Sequence, residues 1–181
     1  MRRAKKEITD RSVIEGLLRE SRVGRLGTAG PDGWPMVKPL NFVYDHGRIY
    51  FHTAKEGEKI DHIRRDDRIC FEVDRPIAYV RGTNEDPCKA EYLYRSVIVK
   101  GRAVIVEDDQ ERREALAALM RKYQPEGGYG DYLPEKLAIT GVVRIDIMTM
   151  TGKQDLGKEQ HREAVDRALR EGAAFPIVLE P

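Results

Sequence analysis

Apolar and polar positions alternate with a period of two along some stretches of this chain and recur at helical spacing along others. Val13, Ile14, Leu17 and Leu18 make one stripe behind Thr9 or Asp10, either of which can cap a helix, so a first helix is predicted to end near Ser21. Residues 23–28 then alternate as a strand, and Gly30-Pro31-Asp32-Gly33 is a strong turn signal before a second strand over 36–44. The pair reads as a hairpin. Pro39 cannot donate to a ladder, so it marks an edge, a bulge or an interrupted pairing in that second strand. After a turn at 45–48, Ile49, Phe51 and Thr53 alternate with Tyr50 and His52, a strand with two differently used faces. Beyond Gly57 the period changes. Ile60 and Ile63 stand at helical spacing among Lys59, Asp61, Arg64 and Arg65, which predicts a helix beginning near Glu56.

Residues 68–73 form the next strand, and 74–89 read as a long loop in which only 77–80 can pair briefly. The stretch 91–106 is long for one strand, and Gly101 allows a bend or bulge in it. Asp108 or Asp109 caps a helix with Ala115, Leu116, Leu119 and Met120 as its apolar stripe; a short helix over 135–138 and a last strand over 141–150 follow. About six strands and a few helices predict a mainly β chain with flanking helices, an antiparallel barrel that is closed or partly closed. The pattern changes at Thr151. Residues 152–157 read as a linker, 161–169 as an amphipathic helix with Ala164, Val165, Ala168 and Leu169 apolar, and 175–179 as an apolar tail. The expected organisation is therefore a barrel over 1–150 with an appendix over 151–181.

Composition narrows the classes. With Lys+Arg 32 against Asp+Glu 31 and a net charge of +1, the chain has no global pull towards nucleic acid, and Arg2, Arg3, Lys5 and Lys6 read as a solvated arm. Two cysteines give no disulfide framework and no zinc site: Cys70, in Ile69-Cys70-Phe71, reads as a small core residue, and Cys88 lies in a polar loop. The basic amino terminus lacks the apolar region of a signal peptide, and no apolar run approaches the roughly 18 residues of a membrane span, so a cytoplasmic protein is expected.

The strand-to-helix junction holds the candidate chemistry. A helix start offers free backbone N–H groups and a positive dipole end, around which Thr53, Lys55 and Lys59 can close on an anion. The same residues fit a plain turn with Lys55 and Lys59 on a solvated helix face, and Glu56 and Glu58 would repel a phosphate. Pro39 leaves the backbone of Lys38 and Leu40 free to meet a flat heterocycle, or marks an edge strand without a ligand. His52 is either a structural strand residue or, with an ordinary pKa of about 6.5, a proton donor. His46, His62 and His161 read as solvated or structural, and Trp34 as a packing or loop-anchoring residue.

Three ordered segments, Pro39-Leu40-Asn41-Phe42, the run from Tyr50 to Lys59 and the run from Tyr94 to Ala103, resemble the pyridoxamine phosphate oxidase-like flavin proteins, in particular the nitroimidazole-resistance branch. The likeness spans roughly residues 1 to 150. It implies a six-stranded antiparallel split β-barrel, a homodimer, and one FMN per subunit at the subunit interface. It further implies that His52, Thr53, Ala54, Lys55 and Lys59 hold the FMN phosphate, and that Val37, Lys38, Pro39, Leu40 and Asn41 lie along the isoalloxazine. Ser96 falls where the oxidases have a glutamine near the ring, and His52 matches an active-site histidine of the nitroimidazole-resistance branch. Two features depart from the oxidases. Glu58 stands where they carry an arginine beside the phosphate, and their carboxy-terminal arginine and histidine pair has no counterpart, so synthesis of pyridoxal phosphate is not expected. The expected function is an FMN-dependent oxidoreductase that draws on NADH or NADPH and reduces a nitro-aromatic or another small organic acceptor. The alternative is a protein that stores or senses flavin, F420 or haem without turnover, haem requiring an axial ligand such as His52 or a residue of the tail.

Overall fold

The computed structural model describes residues 4–171 and 177–180. Its elements, in chain order, are β1 (Glu7–Ile8), α1 (Arg11–Glu20), β2 (Gly24–Ala29), β3 (Pro35–Leu40), β4 (Val43–Asp45), β5 (Arg48–Ala54), α2 (Glu58–Arg65), β6 (Arg68–Val80), β7 (Glu91–Ile105), α3 (Asp109–Tyr123), α4 (Pro134–Ile139), β8 (Thr140–Asp155), α5 (Glu159–Arg170) and β9 (Ile177–Leu179). The strands are hydrogen-bonded in the order β3-β2-β6-β7-β8-β5-β4, with β1 on β8 and β9 on β6. β2 pairs antiparallel with β3 and β6, and β5 with β4 and β8, while β9 runs parallel to β6. This is the mainly antiparallel, helix-flanked architecture that the alternation predicts. The chain divides into two compact units, the larger comprising Leu18–Val73 and Ile98–Met150, the smaller Met1–Leu17, Asp74–Val97 and Thr151–Pro181.

In the larger unit the period of two sorts β5 and β8 into two faces. Phe51 lies opposite Val143 and Ile49 opposite Ile145, all four fully buried. On the other face Tyr50 and Val142 lie in a cluster with Ala115, Leu116, Ala118 and Leu119 of α3. The predicted cap of α3 is in place, with the Asp108 carboxylate accepting from the Glu111 N–H at 2.7 Å. Charged groups fasten this helix as well. Arg144 donates to both carboxylate oxygens of Glu111 (2.9 and 3.0 Å) and to Asp146, and the Tyr50 hydroxyl donates to Glu111 at 3.0 Å. Hydrogen bonds donated to the Asp146 and Glu111 carboxylates raise the Arg144 pKa further above its already high ordinary value.

The predicted strand over 36–44 is two strands. β3 ends at Leu40, and the chain breaks at Asn41 and Phe42 before β4. The Phe42 N–H leaves the ladder and donates to the Tyr123 hydroxyl at 3.0 Å, which in turn lies 2.5 Å from the Arg22 carbonyl and 3.0 Å from that of Phe42. The Phe42 ring is fully buried, edge-on to Phe71 at 4.9 Å, with the Lys122 ammonium 3.9 Å from its centroid. Cys70 is exposed rather than part of the core, because Ile69, Phe71 and Val73 take the inward positions of β6 and alternation turns Cys70 outward.

In the smaller unit two strands outrun their predicted ends. β6 continues to Val80 where a loop was expected from Asp74, because Ala78–Val80 pair with β9 and because Ala78 and Val80 join Leu93, Val165 and Ile177 in a core. β8 continues to Asp155 through most of the expected linker. Gly152 pairs with Ile8, and a Cβ there would lie 2.7 Å from an Ile14 side-chain carbon, so this glycine permits close approach within a strand. His161 is buried, its Nδ1 3.3 Å from a Glu91 carboxylate oxygen. Arg2, Arg3, Phe175, Pro176 and the Leu169 side chain lie outside the described residues.

Candidate functional site

Among the described residues, β3 stands at the end of the strand order, bonded to β2 alone. Val37, Lys38, Pro39 and Asn41 are exposed along it and just beyond it, Val37 to 63%, and Leu40 is partly buried. An edge strand with a proline and an uncovered valine offers a flat apolar surface bordered by unpaired backbone groups.

α2 starts close to this edge. Gly57, its N-cap, has φ 116° and ψ 165°, a conformation that side chains disfavour, and no side chain caps the helix. The Gly57 carbonyl accepts from the N–H groups of Ile60 (2.8 Å) and Asp61 (3.1 Å), which leaves the first N–H groups of the helix facing outward. Lys38 on β3 is 3.0 Å from Glu58. Lys59 is half-buried with its ammonium 5.2 Å from the Phe51 ring centroid, and its pKa is lowered, first by burial and then by the positive charge of Lys38. Two lysines close enough to repel each other therefore stand near a helix start, one of them paired with Glu58. Such a place favours an anion.

Thr53, Ala54 and Lys55 border a cavity of about 270 Å³ together with Arg64 and Arg112. Arg112 Nη2 is 2.7 Å from Asp109, while its Nε is buried with no hydrogen-bond partner among the described residues. Lys55 and Lys59, joined in the sequence reading as one clamp, are thus placed against different neighbours: Lys55 beside Arg64, which donates to its carbonyl at 3.4 Å, and Lys59 beside Lys38 and Phe51. Sequence reasoning missed both arginines. Arg64 looked like an ordinary charge on a solvated helix, and Arg112, on α3, carries no local signal.

His52 is exposed on β5, opposite Val142, and its side chain makes no hydrogen bond or ion pair among the described residues. Ser96 is partly buried on β7, in the smaller unit. His62 is buried with Nδ1 3.1 Å from the Thr28 hydroxyl, a structural role, and His46 sits exposed in its turn. Trp34 is 75% exposed, so it packs little; only its backbone is held, its N–H by Asp32 and its carbonyl by Gly30. Among the described residues no cluster of His, Cys, Asp and Glu can hold a metal ion, and no helix is long and apolar enough to cross a membrane.

The profile of the Pyridoxamine 5'-phosphate oxidase family matches residues 10–154, and the chain belongs to that family. Among solved structures it is similar to a candidate 5-nitroimidazole antibiotic resistance protein of Bacteroides thetaiotaomicron, with 26% identity, a TM-score of 0.70, and coverage of 82% of this chain and 86% of that one. It is also similar to an FAD-binding protein of Mycobacterium smegmatis, with 25% identity, a TM-score of 0.54, and coverage of 81% and 97%. An FAD- and haem-binding protein of the same organism shares the fold at 17% identity, with a TM-score of 0.74 over 88% of this chain and 80% of that one. No curated protein matches the chain.

Proposed function

We propose that this chain is an FMN-dependent oxidoreductase that takes electrons from NADH or NADPH and passes them to a small organic acceptor, a nitro-aromatic compound among them. The observation that carries the reading is the meeting of Lys38, Lys59 and the Gly57-capped helix start at the free edge of β3. The residues fit the group. Lys59 has lost proton affinity through burial beside Lys38, and a phosphate would restore it. The exposed backbone from Val37 to Asn41 suits the rim of a flat ring system, and Thr53 and Lys55 extend the polar surface along β5. Bound there, the flavin supplies the redox chemistry. Lys38 and Lys59 would hold its charged end, the backbone of β3 would orient its ring, and the exposed His52 imidazole would hold a proton for the acceptor. In the same reading the sheet is a six-stranded split barrel, Ser96 lies near the ring, two copies pair as a homodimer, and the protein works in the cytoplasm.

The test begins with the absorption spectrum of the protein as purified and after incubation with FMN, with the released cofactor identified by mass spectrometry. FMN bands that weaken in Lys38→Ala and Lys59→Ala support the site. Failure to retain FMN or any other flavin overturns it, and FAD in place of FMN overturns the cofactor assignment alone. Oxidation of NADH or NADPH coupled to nitro-group reduction, with a pH profile altered in His52→Gln, supports the activity.

A second reading, in which a flavin is held without turnover, draws support from the likeness to the FAD-binding protein of Mycobacterium smegmatis. Tight flavin binding with no turnover of either nicotinamide would favour it. A Soret band in the purified protein would favour haem, and F420 bound in place of FMN would point to the deazaflavin.

A further inference from the structure

In the larger unit, the turn between β2 and β3 borders a cavity of about 570 Å³ whose lining includes Asp32, Trp34, Met36, Glu58, Asp61 and His62. Three carboxylates and no lysine or arginine stand among its described lining residues. Two of the three are already paired, Glu58 with Lys38 at 3.0 Å and Asp61 with Arg64 at 3.7 Å. Asp32 makes no ion pair among the described residues; its Oδ1 accepts the Trp34 N–H at 3.1 Å. Gly30 shows which groups share a space. A Cβ on it would lie 2.7 Å from Asp32 Oδ1, 3.0 Å from the Trp34 carbonyl oxygen and 3.5 Å from His62 Cε1, so glycine leaves a gap walled by two oxygens and an imidazole edge. Arg65, the cation bound at this turn, is turned to the Ala29 and Gly30 carbonyls, 2.7 and 2.5 Å away. His62 is only 6% exposed, and its one side-chain hydrogen bond among the described residues joins Nδ1 to the Thr28 hydroxyl at 3.1 Å. With the proton on Nδ1 and donated to Thr28, Nε2, which is bonded to Cε1, is an acceptor near the Asp32 carboxylate. The Trp34 ring has no aromatic or cationic partner among the described residues and is 75% exposed.

We propose that this cavity binds a flat aromatic cation that carries N–H donors, an amidinium or a protonated amino-heterocycle, with its donors on Asp32 and His62 and its ring against Trp34. Groups that only accept call for a ligand that only donates, and a carboxylate with no ion pair favours one that is positively charged. Tryptophan is the side chain whose face attracts a cation best. A neutral ligand of the same shape keeps the contact with the ring and loses the charge.

Trp34 is the single tryptophan of the chain, so tryptophan fluorescence reports this place alone. Titration of the full-length protein with benzamidine, and with benzamide as its neutral counterpart, tests the proposal by fluorescence and by calorimetry at neutral pH. Benzamidine should change the emission saturably at one site per chain, and benzamide should bind about tenfold more weakly or worse. Asp32→Asn keeps an oxygen for the Trp34 N–H; it should weaken benzamidine about tenfold and leave benzamide and the melting temperature as they were. Trp34→Ala, followed by calorimetry, should weaken both ligands. Met36→Glu adds a carboxylate to the lining and should tighten benzamidine, a gain that a misfolded variant cannot produce. The proposal is overturned if benzamidine leaves the emission unchanged or does not saturate, if benzamide binds as tightly, or if the Asp32, Trp34 and Met36 variants bind benzamidine like the parent.

Discussion

Tyr123→Phe isolates the contact that holds the break between β3 and β4. The substitution leaves the ring and removes one oxygen, to which the buried Phe42 N–H donates at 3.0 Å. An orphaned buried N–H costs about 1–3 kcal/mol, and the hydroxyl's own proton, which reaches the carbonyl of Arg22 or of Phe42, adds about 0.5–1.5 kcal/mol. Tyr123 is only half-buried, so water can reach part of the vacated space and the lower ends of these ranges apply. The expected loss is about 1.5 kcal/mol, a fall in Tm of roughly 3–6 °C for a chain of this size. Urea titration and thermal melting by circular dichroism measure it, with Tyr129→Phe, an exposed tyrosine, as the control expected to stay within about 0.5 kcal/mol. Because the break directly follows Asn41, FMN should also bind less tightly to Tyr123→Phe than to the control. A stability loss below about 0.5 kcal/mol would refute the reasoning, since it would mean that the Phe42 N–H finds another partner at no cost.

Three further expectations rest on separate features. Burial lowers the Lys122 pKa from an ordinary 10.5 to about 8, so between those values the unfolded chain holds more protons than the folded one and stability rises with pH. For a half-exposed ammonium the rise should be about 1–2 kcal/mol after solvent screening, and Lys122→Met, compared with the parent by urea titration at pH 7.5 and 10, should flatten it. Gly57→Ala meets no atom within 4 Å but forces a side chain onto φ 116°, and should lower the urea midpoint by an amount equal to about 1–3 kcal/mol. Gly24→Ala should be worse than Gly57→Ala in the same assay: its Cβ would lie 2.1 Å from the Phe71 ring, which is fully buried against Phe42 and cannot move aside.

Periodicity made the hairpin of β2 and β3, the strand-to-helix junction at Gly57 and the capped α3 legible, because each is specified by neighbours in sequence. What it misjudged depends on distant partners. The break at Phe42 relies on Tyr123, and the extension of β6 relies on β9, which gives Ala78–Val80 a partner despite Pro76. Gly152 looks like a linker residue until Ile8 and Ile14 are seen against it. The same holds for the site. The sequence places Lys38 within a strand and Lys59 at a helix start, whereas Arg64 and Arg112 come to line one cavity with Lys55 only when α2 and α3 are folded onto the sheet. His62 and His161 sit on polar-looking helices, and their burial could not be anticipated without Thr28 and Glu91.

The ion pair between Lys38 and Glu58 means that the lysines at the start of α2 come with a resident competitor. In the proposed reading, an incoming phosphate would not meet a bare lysine; it would trade places with a carboxylate one residue beyond Gly57. The affinity that a titration reads is then the difference between two ion pairs, and the displaced Glu58, held at high effective concentration, stands ready to reclaim Lys38. Exchange of this kind shortens residence more than it slows arrival. In the proposed reading, a flavin held this way would be handed over readily, and its occupancy would follow the surrounding supply instead of being settled once at folding.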